Sequence, residues 1–201
     1  MPALLTYLRY GLIRPKRFFP ELGAVTVGED AITVVDYPFA PSHAYRPPAA
    51  RACTLRPADI RSVTFGYPPL LEVGSDFVFA LEPQRDALTA FAKTHHLAER
   101  PVNFAWALLL DPFLDTEFTP EQQARTDQRL AEYGLPRERV DAIRAEVREP
   151  MLYFNFGLRV WRWETFGLLD VLRVMRAVSK PAAFEDFYWR AMAVERLASG
   201  R

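Results

Sequence analysis

Several features that define common protein classes are scarce in this sequence. It has one cysteine, Cys53, so it cannot form an internal disulfide and does not belong to the disulfide-stapled secreted domains. Its 25 basic residues are balanced by 25 acidic residues, without the positive excess typical of proteins that bind nucleic acid. Its longest apolar run, FAWALLL at 104–110, is too short to cross a bilayer. We therefore expect a cytoplasmic protein with no nucleic-acid partner.

The sequence also lacks the common catalytic motifs. It contains no glycine-rich phosphate loop, G-x-S-x-G elbow, paired CxxC or H-E-x-x-H. The first residues, MPALLTYLRYGLIRPKRFF, place their basic residues after the apolar run and show no small-residue cleavage site, so we do not expect a signal peptide. No bound metal or cofactor is predicted, and an enzymatic role would need an unrecognised site.

Short β-branched and aromatic runs, separated by turn residues, extend from Ala24 to Leu81. They predict about six short strands in a small antiparallel sheet or open barrel. A helix follows, with Leu88, Phe91 and Ala92 spaced as a buried stripe. Alternation along the strands predicts six core residues: Ile32, Val34, Ile60, Val63, Phe77 and Phe79.

Three local features support a family resemblance. They are the strand–turn–strand stretch RACTLRPADIRSVTF, the proline-broken hairpin YPPLLEVGSDFVFAL and the closing helix DALTAFAKTHHL. In this order of elements, residues 24–97 resemble the bacterial pleckstrin-homology-like domain. The resemblance covers a little over a third of the chain and implies a β domain closed by a helix. The proline-rich residues 38–50 depart from its compact pattern.

The sequence becomes helical after Arg100-Pro101. Thr119, Pro120 and Gln122 predict a capped helix start, and Gly134 the end of that helix. A second helix is predicted from residue 137, with Val140, Ile143 and Val147 as its apolar stripe and Pro150 as its end. Two further helices are predicted, separated by residues 179–181. We therefore expect an α+β chain of three parts: an amphipathic helix at 1–23, a pleckstrin-homology-like β domain at 24–99 and an all-helical domain at 100–201.

The aromatic stretch 151–163 has two interpretations. On a helical wheel it has a wide apolar face and an exposed edge of Asn155, Arg159, Arg162 and, further along, Arg173. A strand is the alternative, because residues 152–160 also alternate and NFAWALLL could pair with them. The pattern favours the helix, with Gly167 as a break. Glu164 falls among apolar residues, which predicts either a pair with an arginine or a carboxyl of raised pKa.

Two groups of residues are candidates for catalysis or metal binding. His95 and His96 end the first predicted helix, where adjacent side chains point about 100° apart and cannot jointly chelate one ion. Asp111, Asp115 and Glu117 form an acidic stretch that could hold a hard cation, although its spacing fits no calcium loop. Helix-dipole and capping effects explain both groups without a ligand.

The N-terminal segment combines an apolar side with positive charge. Arg9, Arg14, Lys16 and Arg17 accompany Leu5, Leu8 and Leu12, and Phe18 and Phe19 follow. Such a helix lies on anionic lipid or docks on its own protein. The sequence favours docking and leaves the membrane surface as the alternative.

The functional expectation is a non-enzymatic interaction module or accessory subunit with a protein partner, working in the cytoplasm or at the membrane periphery. The alternative is an enzyme with a carboxylate and histidine site built from Glu164, His95, His96 or the acidic stretch. Convergence of these groups in one pocket would favour the enzyme. A closed core with an exposed apolar groove would favour the module.

Overall fold

The structure, a computed structural model, describes residues 25–34, 53–80, 82–114, 117–158 and 165–197. Within these residues, strands come first and helices follow, so the α+β prediction is confirmed. The strands are β1 Val25–Val27, β2 Ile32–Val34, β3 Cys53–Leu55, β4 Ser62–Thr64, β5 Leu70–Val73 and β6 Asp76–Phe79. The α-helices are α1 Arg85–Thr94, α2 Ala105–Leu110, α3 Pro120–Glu132, α4 Arg137–Leu152, α5 Leu168–Val178 and α6 Pro181–Leu197.

The chain divides into two compact units. The β unit consists of the described residues of Pro20–Asn103 together with Pro181–Asp186, the start of α6. The helical unit consists of the described residues of Phe104–Lys180 and Phe187–Arg201.

The first three strands form an antiparallel sheet, which we call sheet A, in the order β1-β2-β3. Its register pairs Val25 with Val34 and Ile32 with Leu55. Ile32 and Val34 are buried whereas Thr33 between them is exposed, because successive side chains on a strand point to opposite faces. Sheet A therefore has one buried face, as alternation predicts.

The last three strands form a second antiparallel sheet, sheet B, in the order β4-β5-β6. The free edge of β4 is covered by the chain after α1: Val63 N donates to Ala98 O at 2.9 Å and Arg100 N to Val63 O at 2.8 Å. Backbone groups at that edge are thus satisfied within the unit. The described strands form two separate sheets and no closed barrel.

The six core residues expected from alternation are all buried, with exposures between 0% and 6%. Sheet B departs from simple alternation, since Ser62, Thr64, Glu72 and Asp76 are buried as well. Both faces of sheet B are therefore covered. Helix α1 buries Leu88, Phe91 and Ala92, which confirms its predicted stripe.

In the helical unit, the predicted caps are confirmed. Gln122 N donates to Thr119 Oγ1 at 3.2 Å, and the Gln122 side chain accepts from Thr119 N at 2.8 Å. Gly134 follows α3 with a φ of 78°, in the left-handed region that glycine adopts without steric cost. Leu135 N then donates to Leu130 O at 3.0 Å and closes the helix end.

Arg144 of α4 fixes three helices of this unit. Its Nε and one terminal nitrogen donate to the carbonyls of Leu109 and Leu108, each at 3.2 Å, and its other terminal nitrogen donates to Asp127 at 3.0 Å. The last carbonyls of a helix have no partner within it and carry partial negative charge. Arg144 satisfies two of them at the end of α2.

The prediction that Pro150 ends its helix is wrong. Pro150 lies inside α4, which runs to Leu152 and continues as a π-helical turn at Tyr153–Gly157. Proline removes one backbone hydrogen bond, but Pro150, Met151, Tyr153 and Phe154 are all buried. The packing of this segment therefore maintains the helix through the proline.

The helical interpretation of residues 151–157 is confirmed, and the strand alternative is wrong there. Its proposed partner NFAWALLL is also helical, as α2. The π turn ends at Gly157, where a Cβ atom would stand 2.5 Å from the Tyr153 ring. Asn155 lies within this turn and is fully buried rather than on an exposed edge, and its Nδ2 donates to Phe113 O at 3.1 Å.

Other predictions lie outside the described residues: the N-terminal helix at 1–23, the proline-rich residues 38–50, Asp115, Arg159, Arg162 and Glu164. Among the described helices, none combines the length and apolar content needed to cross a bilayer.

Candidate functional site

The predicted histidine pair belongs to the end of α1. His95 Nε2 lies 2.6 Å from the backbone oxygen of Glu29, and because a carbonyl only accepts, this nitrogen carries the proton. The His95 ring also packs against Phe91, with centroids 4.5 Å apart. His96 has a φ of 53° and occupies the left-handed position that closes the helix. Each histidine thus has a structural role in the β unit.

The acidic stretch is divided between two helix ends. Asp111 caps the end of α2 and accepts a long hydrogen bond from Thr126 Oγ1 at 3.5 Å, whereas Glu117 is exposed just before the α3 cap. Desolvation by burial raises the pKa of the Asp111 carboxyl, and Thr126, Arg144 and Arg129 act against this rise. Among the described residues, no three histidine, cysteine or acidic side chains are grouped so as to hold a metal ion.

Cys53 lies at the start of β3 and is half-buried rather than a core residue. Burial, assisted by the negative charge of Asp59, raises the pKa of its thiol. A raised pKa keeps the sulfur protonated at neutral pH, which weakens it as a nucleophile.

An apolar cleft opens on the helical unit between α4 and α6, with α2 at its base. We call it the α4–α6 cleft. It has a volume of about 170 Å³. Its walls and floor are formed by Trp106, Ala142, Ile143, Phe187, Ala191 and Val194, and its charged residues are Arg139, Glu146 and Arg190.

The two walls have the same sequence spacing. Residues 139, 142, 143 and 146 of α4 and residues 187, 190, 191 and 194 of α6 each follow the i, i+3, i+4, i+7 pattern of one helix face. Two such faces lie against each other across the cleft. Short side chains at Ala142 and Ala191 leave the space that larger residues would fill.

The floor of the cleft is fixed by packing and by one hydrogen bond. Trp106 and Phe187 are each 2% exposed, with ring centroids 6.3 Å apart. Trp106 Nε1–H donates to the Ala191 carbonyl at 3.3 Å and ties α2 to α6. Because these side chains are held by the core, the cleft is formed before any ligand arrives.

An ion pair crosses one end of the cleft. The two terminal nitrogens of Arg190 donate to the two oxygens of Glu146 at 2.7 and 2.8 Å. The Arg190 guanidinium also lies 5.7 Å from the centre of the Phe187 ring. Glu146 is therefore held by a bidentate partner, a geometry suited to recognition and orientation rather than to proton transfer.

A second depression on the same unit is larger, at about 630 Å³, and is lined by charged residues of α4. Arg144, one of them, is already engaged with Leu108, Leu109 and Asp127. The α4–α6 cleft is the better site, because an apolar floor with a few placed charges is the usual composition of a binding pocket.

The sequence interpretation missed this cleft. It assigned Ile143 to a buried stripe with Val140 and Val147, but Ile143 is only half-buried and faces the cleft. The matched spacing on α4 and α6 was a usable signal, although only the structure shows that the two faces meet. The chain matches no protein-family model, no curated protein and no solved structure.

Proposed function

We propose that this protein is a non-enzymatic interaction module, an accessory subunit that binds a protein partner through the α4–α6 cleft. The observation that carries the proposal is a pre-formed apolar cleft that is open on the surface of the helical unit. Of its apolar lining, Ala142 and Ile143 are accessible to solvent, whereas Trp106, Phe187, Ala191 and Val194 are buried. A concave apolar site with a few placed polar groups is the usual form of a binding pocket.

The size of the cleft fits one side chain. A dry apolar cavity of about 150 Å³ in another protein binds benzene, and the α4–α6 cleft measures about 170 Å³. It can therefore accept one aromatic or branched aliphatic side chain of a partner. Because Trp106 and Phe187 are already packed, binding does not have to order them, and this lowers the entropic cost of association.

The groups lining the cleft support binding rather than catalysis. Its titratable side chains are two arginines and one glutamate, and that glutamate is engaged by Arg190 at both oxygens. Among the described residues that line the cleft, there is neither a histidine nor a cysteine. A general acid or base needs a group placed and protonated for transfer, which this set does not offer.

The proposal is tested by affinity capture from the source cells, with mass spectrometry, using three forms of the full chain. Ala142→Phe places a large ring in the cleft, and Ala131→Phe makes the same change at an exposed position of α3 outside it. We expect a partner that binds the wild type and Ala131→Phe but is lost with Ala142→Phe. A set of bound proteins that Ala142→Phe leaves unchanged would contradict the proposal.

We further propose that the N-terminal segment brings the protein weakly to anionic membrane surfaces from the cytoplasm. The support is the sequence alone: four basic residues accompany an apolar helical side, and each gains about 1 kcal/mol near anionic lipid. The test is co-sedimentation of the full chain with phosphatidylserine vesicles at low and high salt. A variant with Arg9, Arg14, Lys16 and Arg17 changed to Gln should lose binding; equal sedimentation of both forms would refute the proposal.

The pleckstrin-homology-like identity of the β unit is likewise a proposal. Its support is the order of elements, six short strands followed by the amphipathic helix α1.

A further inference from the structure

We infer that the segment recognised by the α4–α6 cleft is an acidic peptide, in which one large apolar side chain enters the cleft and a neighbouring carboxylate pairs with Arg139. This inference rests on the proposed function and specifies its ligand. The other possible occupant, an apolar peptide of any charge, is an outcome of the test below.

The charge around the cleft is unbalanced. Among the described residues that line the cleft, there are two guanidinium groups, Arg139 and Arg190, and one carboxylate, Glu146. Both oxygens of Glu146 accept hydrogen bonds from Arg190, so Glu146 is not the ion-pair partner of Arg139. Among the described residues, the Arg139 guanidinium has no hydrogen-bond or ion-pair partner. An incoming carboxylate would supply one.

The position of Arg139 strengthens this preference for an anion. Arg139 is the third residue of α4, whose N-cap, Pro136, provides no side-chain hydrogen bond. The first backbone N–H groups of a helix carry partial positive charge, and anions are stabilised near them. Glu138 already places one negative charge in this first turn, so the preference for an incoming carboxylate is carried by the Arg139 guanidinium and only assisted by the helix end.

The spacing on α4 relates the charge to the apolar space. Arg139 lies one turn before Ala142 and Ile143 on the same helix face. A peptide whose apolar side chain contacts Ile143 consequently has its adjacent residues within reach of Arg139. The recognised sequence is thus a large apolar residue with Asp or Glu beside it.

The experiment uses a phage-displayed library of random peptides, selected on the immobilised full chain. Recovered clones are then measured on four folded variants, each checked by circular dichroism. Ala142→Phe fills the cleft and Ala131→Phe is its control. Arg139→Glu reverses the charge at the cleft, and Arg148→Glu makes the same change at an exposed position of α4 outside it.

We expect the selected peptides to carry a large apolar residue next to Asp or Glu. Their recovery should fall about tenfold, equivalent to about 1.4 kcal/mol, on both Ala142→Phe and Arg139→Glu, and should be unchanged on the two controls. Apolar peptides without acidic bias that are lost on Ala142→Phe but not on Arg139→Glu would overturn the inference and leave the proposed function standing. Absence of any clone sensitive to Ala142→Phe would overturn both.

Discussion

Both units place an arginine over a phenylalanine ring, but with opposite exposure. In the β unit, the Arg100 guanidinium lies 4.8 Å from the centre of the Phe77 ring, and Arg100 is 7% exposed. In the helical unit, Arg190 lies 5.7 Å from the centre of the Phe187 ring, and its side chain is 48% exposed. The same pair of residue types therefore serves the interior of one unit and the surface of the other.

The polar side chains of the two units differ in their contact with water. On sheet B, Arg100 Nε donates to Thr64 Oγ1 at 3.2 Å, and Ser62 Oγ donates to Glu72 at 2.7 Å. These groups are buried, so their hydrogen bonds offset the cost of removing them from water. At the α4–α6 cleft, the side chains of Arg190 and Glu146 are 48% and 33% exposed, so their ion pair stays in contact with water. Exposure, not residue type, therefore distinguishes Arg100, which is buried in the β unit, from Arg190, which lies at the surface of the helical unit.

The largest expected effect is the loss of Arg100. Arg100→Ala removes a desolvated contact with Phe77 and a hydrogen bond to Thr64, and we expect it to lower the free energy of unfolding by about 3 kcal/mol. Denaturant unfolding of the full chain measures this. If Arg100→Ala lowered the free energy of unfolding no more than Arg190→Ala does, burial would not account for a difference in stability between the two arginines.

A smaller effect is expected for the other polar pair on sheet B. Ser62→Ala leaves the buried Glu72 carboxylate without its short hydrogen bond, and bonds to charged groups contribute about 1.5–3 kcal/mol. The control is Thr33→Ala on the exposed face of sheet A, which should change stability by less than about 0.5 kcal/mol. Equal effects of the two substitutions would mean that Ser62 is not buried as described.

Arg190→Ala should have little effect on folding. It removes the ion pair with Glu146, and exposed pairs contribute about 0.2–1 kcal/mol. The measurement is the same denaturant series, with Glu146→Ala as the matched partner. A loss above about 2 kcal/mol for Arg190→Ala would place this arginine with Arg100 and weaken the case for a cleft that is free to bind.

The burial pattern of sheet A could be predicted from the sequence, because it follows from the alternation of side chains along a strand. Ile32 and Val34 alternate with exposed Thr33, so the pleat alone determines which side chains are buried. The burial pattern of sheet B could be predicted only in part. Phe77 and Phe79 were expected in the core, but Glu72 and Ser62 gave no sign of burial, because the covering of a second face depends on distant segments of the chain.

In the helical unit too, features set by local sequence were predicted and features set by distant segments were not. The capping box at Thr119 and the turn at Gly134 follow from local chemistry and were predicted. The passage of α4 through Pro150 was not, since buried neighbours outweigh one missing hydrogen bond there. The cleft was not predicted either, because its two walls are separated by more than 40 residues in sequence, as the 44-residue separation of Glu146 and Arg190 shows.

The smallest expected effect is on the pH dependence of stability, and it comes from the half-buried carboxyl of Asp111. Burial raises the pKa of Asp111 above its ordinary value of 3.8. Its folded state therefore binds the proton more tightly than the unfolded state, so this group stabilises the fold fully below about pH 3.8 and loses that contribution as the pH rises through the folded pKa. Asp111→Asn does not titrate. We expect it to gain stability relative to the wild type as the pH increases from 4 towards 7, measured as the difference in thermal unfolding midpoints. A difference that is constant with pH would show that these effects balance and leave the pKa of Asp111 unshifted. A difference that grows towards acid would show that the Thr126 hydrogen bond and the attraction of Arg144 and Arg129 outweigh the burial of Asp111.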